Sequence, residues 1–217
     1  MTDVWSERAK AYRESPTHAA GEDLDLVVAW AEPGPGVTAL DVATGGGHVA
    51  RRLREAGAEV VTADRAPGMQ PDVVCRAEDL PFVDGSFDVV TVRIAPHHYD
   101  DVRAAVREMA RVSRDRVVIE DTLYEDEALE QVFRLHDPSH VRTYREDEWR
   151  RFLEEAGLRV EAVEIVEKRR PLEDWLDRTG CSDEDAERIR ALLADRVDEN
   201  GEWADRKIVI KTRKGSA

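Results

Sequence analysis

The residues best able to do chemistry fall in two groups. The first is an acid followed by glycines, Asp41-Val42-Ala43-Thr44-Gly45-Gly46-Gly47, with a second acid, Asp64, closing the next apolar run. Glycine has no Cβ, so this turn lets a ligand approach the backbone, and the helix after it aims free N–H groups at that ligand. The stretch predicts a nucleotide-like ligand. The second group is His97-His98, just past the apolar run of residues 87–94. Imidazole titrates near neutrality, so either ring could take a proton from an acceptor hydroxyl or ring carbon, or could only hydrogen-bond backbone and shape its loop. No third ligand stands at metal spacing beside the pair, so no metal is expected.

Asp41 decides between nucleotides. Gly45-x-Gly47-x-x-Ala50 with Asp64 also fits a dinucleotide site. A carboxylate at Asp41 would repel a pyrophosphate, however, and suits a ligand carrying an ammonium and a sulfonium. A nicotinamide-dependent oxidoreductase is therefore the disfavoured alternative. A tight turn with no ligand is opposed by the conformational entropy of three successive glycines.

The elements that must hold these residues follow from pattern. An apolar strand enters the glycines, and Val49, Leu53 and Ala56 continue at helical spacing to a stop at Gly57. A second strand runs from Val60 to Asp64. The link from Arg65 to Asp72 holds Pro67, Gly68 and Pro71, which exclude a crossover helix of normal length. The sheet edge beyond it, Val73-Val74 with a buried Cys75, should be thinly covered and open to a partner or to motion. Val102, Ala105, Val106 and Met109 mark a helix, and Val117 to Ile119 a strand. Thr143-x-x-Glu146 reads as a capping box opening the helix of Trp149, Phe152 and Leu153. Leu158 to Val166 reads as a strand, 171–196 as one or two helices, and Lys207 to Thr212 as the last strand. Asp84-Gly85 is a turn, and Asp88 a structural acid at a strand end.

The chain has 217 residues, enough for one full core, and 41% are apolar. Its formal charge is -15, and only five of its 32 basic residues are lysine. This balance opposes nucleic acid and anionic membrane as partners. It fits either a high-salt habitat or an arginine-preferring genome. Cys75 and Cys181 lie far apart, with no disulfide framework and no zinc spacing. No run reaches the ~18 apolar residues of a membrane span and the N-terminus has no signal core, so a cytoplasmic location is expected.

Asp41-x-Ala43-x-Gly45-x-Gly47 resembles the first motif of the class I S-adenosylmethionine-dependent methyltransferases, an acid followed by Gly-x-Gly-x-Gly, with Ala43 where the first glycine is usual. Arg76-Ala77-Glu78-Asp79-Leu80-Pro81-Phe82, then Asp84-Gly85-Ser86-Phe87-Asp88, is similar to the branch containing the ubiquinone/menaquinone C-methyltransferases. So is Tyr12-x-x-Ser15-x-x-His18-x-x-Gly21-x-Asp23-Leu24. The resemblance covers nearly the whole chain. It implies an α/β, Rossmann-like class I methyltransferase fold: a seven-stranded, mostly parallel sheet with an antiparallel last strand and helices on both faces. Residues 1–36 would be an N-terminal helical cap and 37–217 the methyltransferase domain, with an acceptor-side insertion at 122–145 and a helical insertion at 171–200.

The resemblance implies S-adenosylmethionine as cofactor. Asp41, Ala43, Thr44, Gly45 and Gly47 would hold its methionine part, Asp64 the ribose hydroxyls with Arg65 beside it, and Tyr12 and His18 would either cover it or sit on a solvated N-terminal helix. The family's adenine-binding acid falls at Arg76, which can only donate, so adenine passes to Ala77 with Glu78 or Asp79. His140, Arg142 and Tyr144, with Phe133 and His136, would form a pocket for an aromatic or anionic acceptor, a plain helical cover being the competing reading. Carbon or oxygen is favoured as the accepting atom, because the Asn-Pro-Pro-aromatic motif of amine methylation is absent. The lack of clustered cysteines excludes arsenic. The expected activity is methyl transfer to a small molecule by a monomer or homodimer, with His97 or His98 as base. A methyltransferase-like protein that has lost catalysis is the remaining alternative, prompted by Ala43, Arg76 and the short second crossover.

Overall fold

A computed structural model describes residues 4–179 and 181–215. A seven-stranded sheet runs in the order β3-β2-β1-β4-β5-β7-β6. Its strands are β1 (Thr38–Val42), β2 (Glu59–Asp64), β3 (Val73–Val74), β4 (Phe87–Arg93), β5 (Ser113–Thr122), β6 (Leu158–Pro171) and β7 (Glu202–Lys214). The strands from β3 to β5 are mutually parallel, whereas β7 pairs antiparallel with both β5 and β6. The order reverses between β1 and β4, so the carboxyl ends of these two strands open the crevice where ligands of such sheets lie.

Side-chain alternation decides what covers each face. Leu40, Val42, Val90, Val92, Val117 and Ile119 point to one side, where α5 (Val102–Val112) and α7 (Glu146–Glu155) complete the core with Met109, Trp149 and Leu153. Ala39, Val89, Val118 and Val209 point to the other, against Leu24 and Val27 of α3 (Glu22–Ala31) and Val49 and Leu53 of α4 (His48–Glu55). Helix α3 is thus part of a sheet layer, and only α1 (Val4–Glu14) and α2 (Pro16–Ala19) stand apart as a cover. A third apolar cluster joins α6 (Glu127–His136), α8 (Leu172–Thr179) and α9 (Asp183–Leu192) around the buried Trp203.

The link after β2 makes only a 3-10 turn, Pro67–Met69, and β3 has two residues. Cys75 lies beyond that strand and is half-buried, not a buried strand residue. The edge is not bare, because α1 packs on the turn: Ala9 is buried with Ala66 and Met69, and Ser6 Oγ accepts from Gly68 N–H at 2.9 Å. The N-terminal helix thus covers the turn that replaces a crossover helix.

Two local expectations shift. The cap of α7 is built two residues later than Thr143-x-x-Glu146, with Glu148 accepting from Arg145 N–H at 3.0 Å. Thr143 is withdrawn because its hydroxyl and N–H both go to the buried Glu130. Strands β6 and β7 extend well past the apolar runs that signal them, with Lys168 to Pro171 still paired to 202–205. Asp88 is structural as expected, accepting from Thr38 N–H at 2.9 Å and Thr38 Oγ at 2.8 Å.

Candidate functional site

Strand β1 ends in a loop shaped by left-handed residues. Ala43 has φ 51°, Gly45 51° and Gly47 74°. Ala43 therefore adopts the conformation that a glycine would hold without penalty. The second carboxylate fixes this loop to the next strand: Asp64 Oδ2 accepts from Gly45 N–H at 2.9 Å and Oδ1 from Ala66 N–H at 2.9 Å. An ionised carboxylate offers about four lone-pair sites, so Asp64 can still accept from a ligand.

Asp41 is 2% exposed. Thr44 Oγ donates to it at 2.6 Å and Thr91 Oγ at 2.9 Å. Burial outweighs these hydrogen bonds and raises its pKa to about 6. Among the described residues no cation pairs with it. A buried carboxylate in this state favours a cationic ligand group, which would restore the charge balance that burial removes.

These groups line a cavity of about 830 Å³, together with Tyr12, His18, Thr44, Arg65, Arg93, Ile94, His98 and Tyr99. Trp5, Tyr12 and His18 form its cover, Tyr12 lying between the other two rings at centroid distances of 6.1 and 5.4 Å. The cover is tied down at His48, whose Nε2 lies 3.0 Å from Tyr12 O. It is tied again at Gly68, whose carbonyl accepts from Arg13 at 3.1 Å. Gly47 does not line this cavity; it caps α4 from behind.

A smaller cavity of about 320 Å³ adjoins the first, sharing Ala43, Asp64, Arg65 and Tyr99. Ala77 and Glu78 line it, whereas Asp79 does not, because its side chain faces solvent. Arg76 is exposed and pairs with Glu78 at 3.1 Å and Asp100 at 2.6 Å. Glu78 also accepts from Asp100 N–H at 3.1 Å, so its carboxylate is held in place from two sides.

Past β4 the backbone turns through Ile94 at φ 52°. For a β-branched residue this conformation is strained, and such strain collects where function needs a particular chain direction. It delivers His97 and His98 to a second cavity of about 660 Å³, which shares Tyr12, His18, Ile94 and His98 with the first. Phe133, His136, His140 and Trp175 complete its aromatic side, and Lys168, Arg170, Asp205 and Lys207 its polar side.

Both histidines are oriented. His97 Nδ1 is hydrogen-bonded to Asp121 Oδ1, and its ring centroid lies 4.0 Å from that of His98. His98 Nδ1 donates to Ser139 O at 3.1 Å, and its ring stands edge-on to Trp5 at 4.6 Å. Burial lowers the pKa of both rings and raises that of Asp121 to about 7. Neutral imidazoles are therefore the resting forms.

Of the three acceptor-side residues, only His140 reaches the second cavity, with Nε2 on Glu130 Oε1 at 3.0 Å. Arg142 is exposed and pairs with Glu148 at 2.5 Å. Tyr144 is buried between Trp149 and Phe152 in the main core. Thr143 turns to Glu130, as His140 does, whereas Arg142 and Tyr144 find their partners elsewhere.

Arg93, Ile94, Trp5 and Asp121 were not expected at the site. Arg93 donates to Asp23 Oδ2 at 2.5 and 2.9 Å and to His18 O at 3.0 Å, tying α3 and the cover to the end of β4. Lys168 joins it on Asp23 at 3.0 Å. The signal available in the sequence was the acid pair near the end of β5, Glu120-Asp121, which sits where strand ends face a ligand.

Comparisons with known proteins bear on the family and the fold. Residues 40–119 match the family model described as a methyltransferase domain. The chain is 32% identical over 199 residues to YcgJ of Bacillus subtilis, a methyltransferase of uncharacterized activity, covering 81% of this chain and 78% of that one. The crystal structure of YcgJ superposes with a TM-score of 0.81 at 28% identity, covering 90% of this chain and 99% of that one. A demethylmenaquinone methyltransferase of Corynebacterium urealyticum is 39% identical over 88 residues, a match spanning 37% of this chain and 38% of the relative.

Proposed function

Because the chain belongs to the methyltransferase family, we propose that it transfers a methyl group from S-adenosylmethionine to a small-molecule acceptor, with the donor in the first cavity and the acceptor in the second. The observation that carries this reading is that the two cavities meet along Tyr12, His18, Ile94 and His98. A donor and an acceptor lying on either side of that seam would approach one another without crossing solvent.

The residues present fit the donor. Asp41, buried and with no cation paired to it among the described residues, suits its ammonium. Asp64, its two oxygens steered by Gly45 and Ala66, suits vicinal ribose hydroxyls. Ala77 and Glu78 line the adjoining cavity that would take adenine. When bound, S-adenosylmethionine supplies a methyl carbon on sulfonium, so the acceptor's electron pair forms the new bond as the carbon–sulfur pair returns to sulfur. The protein's own contribution is positioning, exclusion of water by the α1 cover, and removal of any acceptor proton. Carbon and oxygen acceptors both suit a base among the histidines.

Isothermal titration with S-adenosylmethionine and S-adenosylhomocysteine, at low and at high salt, tests the reading. Micromolar binding that Asp64→Ala weakens supports it. No binding at either salt concentration would defeat it.

A further inference from the structure

One wall of the second cavity carries more positive charge than the fold around it matches. Strands β6 and β7 run antiparallel with Lys168 opposite Asp205, Arg170 opposite Trp203 and Val166 opposite Lys207. Alternate residues of a strand share a face, and directly opposed residues lie on the same one. Lys168, Arg170, Asp205 and Lys207 therefore stand together, and all four line the cavity. Three cations around one acid is not what strand pairing favours, since like charges on neighbouring strands repel. Nor is it what the chain's composition favours: arginine is its usual cation, yet two of its five lysines stand on this wall.

The carboxylates in reach are fewer than the cations. Asp205 accepts from both Arg170 and Lys207, the latter at 3.0 Å. Lys168, although opposite Asp205, donates to Asp23 of α3 at 3.0 Å, and Asp23 already holds Arg93. Two acids thus serve four cations by hydrogen bonds. Glu120, 3.5 Å from Arg93, and Asp121 are each raised to about 7 by burial, so neither is a full negative charge near neutrality. Asp137, the other carboxylate on the cavity, is paired with Arg8 at 3.2 Å. An ammonium has three N–H donors. Lys168 gives hydrogen bonds to Asp23 alone, and Lys207 gives two, to Asp205 and to Thr122 Oγ at 2.5 Å. Each keeps donor capacity with no partner among the described residues. Buried charge left unmatched is costly, and a bound anion would match it.

Resting on the methyltransferase reading above, we propose that the acceptor carries a carboxylate and that Lys168 and Lys207 seat it on the β6–β7 wall of the second cavity. The carboxylate is the group that orients the molecule. The accepting atom is a separate one, which meets the donor along Tyr12, His18, Ile94 and His98. Neither lysine lines the first cavity, so both determine which acceptor is taken and neither holds the donor. Either lysine can also be replaced without stranding an acid, because Asp23 keeps Arg93 and Asp205 keeps Arg170.

The test uses phenylacetate and its neutral counterpart phenylacetamide, titrated into protein saturated with S-adenosylhomocysteine. The buffer is low in chloride, which would compete for the same cations. Both probes offer a ring to Phe133 and Trp175, and only the carboxylate differs. The wild type should bind phenylacetate at least about tenfold more tightly than phenylacetamide. Lys168→Met and Lys207→Met keep an apolar stem and lose the charge. Each should remove most of that preference, while affinity for phenylacetamide and for S-adenosylhomocysteine, which certifies folding, stays unchanged. Unchanged phenylacetate binding in both variants would overturn the assignment and mark the lysines as structural. Equal affinity for the two probes in the wild type, or no phenylacetate binding while S-adenosylhomocysteine binds, would overturn the carboxylate and leave the methyltransferase reading standing. Failure of S-adenosylhomocysteine itself to bind would overturn both.

Discussion

Asp64 and Gly45 join two strand ends through one hydrogen bond, the Gly45 N–H donating to Asp64 Oδ2 at 2.9 Å, while Ala66 N–H occupies the other oxygen at the same distance. The carboxylate therefore shapes the glycine loop before any ligand arrives. Asp64→Ala should raise the Kd for S-adenosylhomocysteine at least about tenfold, since hydrogen bonds to a charged group contribute ~1.5–3 kcal/mol each. Asp64→Asn should also weaken binding, because its amide NH₂ would face one of the two N–H donors. Titration calorimetry decides, and an unchanged Kd for both variants would remove Asp64 from the ribose site.

On the proposed function, Asp41 should make cofactor binding depend on pH. Its pKa is raised to about 6 by burial, so below that pH it is protonated and loses its attraction for an ammonium. Affinity should be flat above about pH 7 and fall toward tenfold per unit below about 6, because only the ionised form binds the cation. Adenosine, which has no amino-acid part, should show no such dependence. Asp41→Asn should bind weakly with a flat profile. Calorimetry of both ligands across this range would expose a different origin if adenosine lost affinity in parallel.

Helix α1 covers the short link after β2, and Gly68 lies against its Ser6. A Cβ on Gly68 would come within 2.5 Å of Ser6 Cα, which is backbone and cannot swing aside. Gly68 itself does not line the first cavity. Gly68→Ala should therefore lift α1 and raise the Kd for S-adenosylhomocysteine at least about tenfold, with only a small change in Tm, since this contact lies outside the main core. A wild-type Kd would show that the cover does not hold the ligand.

Much of this architecture is legible in the residues because its signals are local. The acid, glycines and helix of 41–57 are contiguous, and the short link after Asp64 announces itself through Pro67, Gly68 and Pro71. What escapes the sequence depends on partners far along the chain. Asp121 meets His97 24 residues away, and Arg93 meets Asp23 70 residues away. Residues 167–171 of β6 have no apolar alternation and are strand only because β7 pairs with them. Arg142 and Tyr144 look like pocket residues by type, but Arg142 pairs with Glu148 at the surface and Tyr144 packs in the main core, partners that the local sequence does not announce.

The same long-range placement creates a group whose charge opposes folding. Glu120 is fully buried, both its oxygens lack a hydrogen-bond partner among the described residues, and Arg93 Nε stands 3.5 Å away. Burial dominates and raises its pKa from 4.5 to about 7. A carboxyl raised in this way stabilises the fold at low pH and loses that contribution as pH climbs from the unfolded value through the folded one, here from about 4.5 to about 7. Glu120→Gln keeps the shape and removes the titration. It should be neutral near pH 5 and stabilising by about 1 kcal/mol near pH 8, well below the full linkage value because Arg93 loses a neighbouring charge. Urea denaturation at the two pH values separates this from its opposite: a variant destabilised near pH 8 would mean that Glu120 is ionised in the fold and that its attraction for Arg93 outweighs burial.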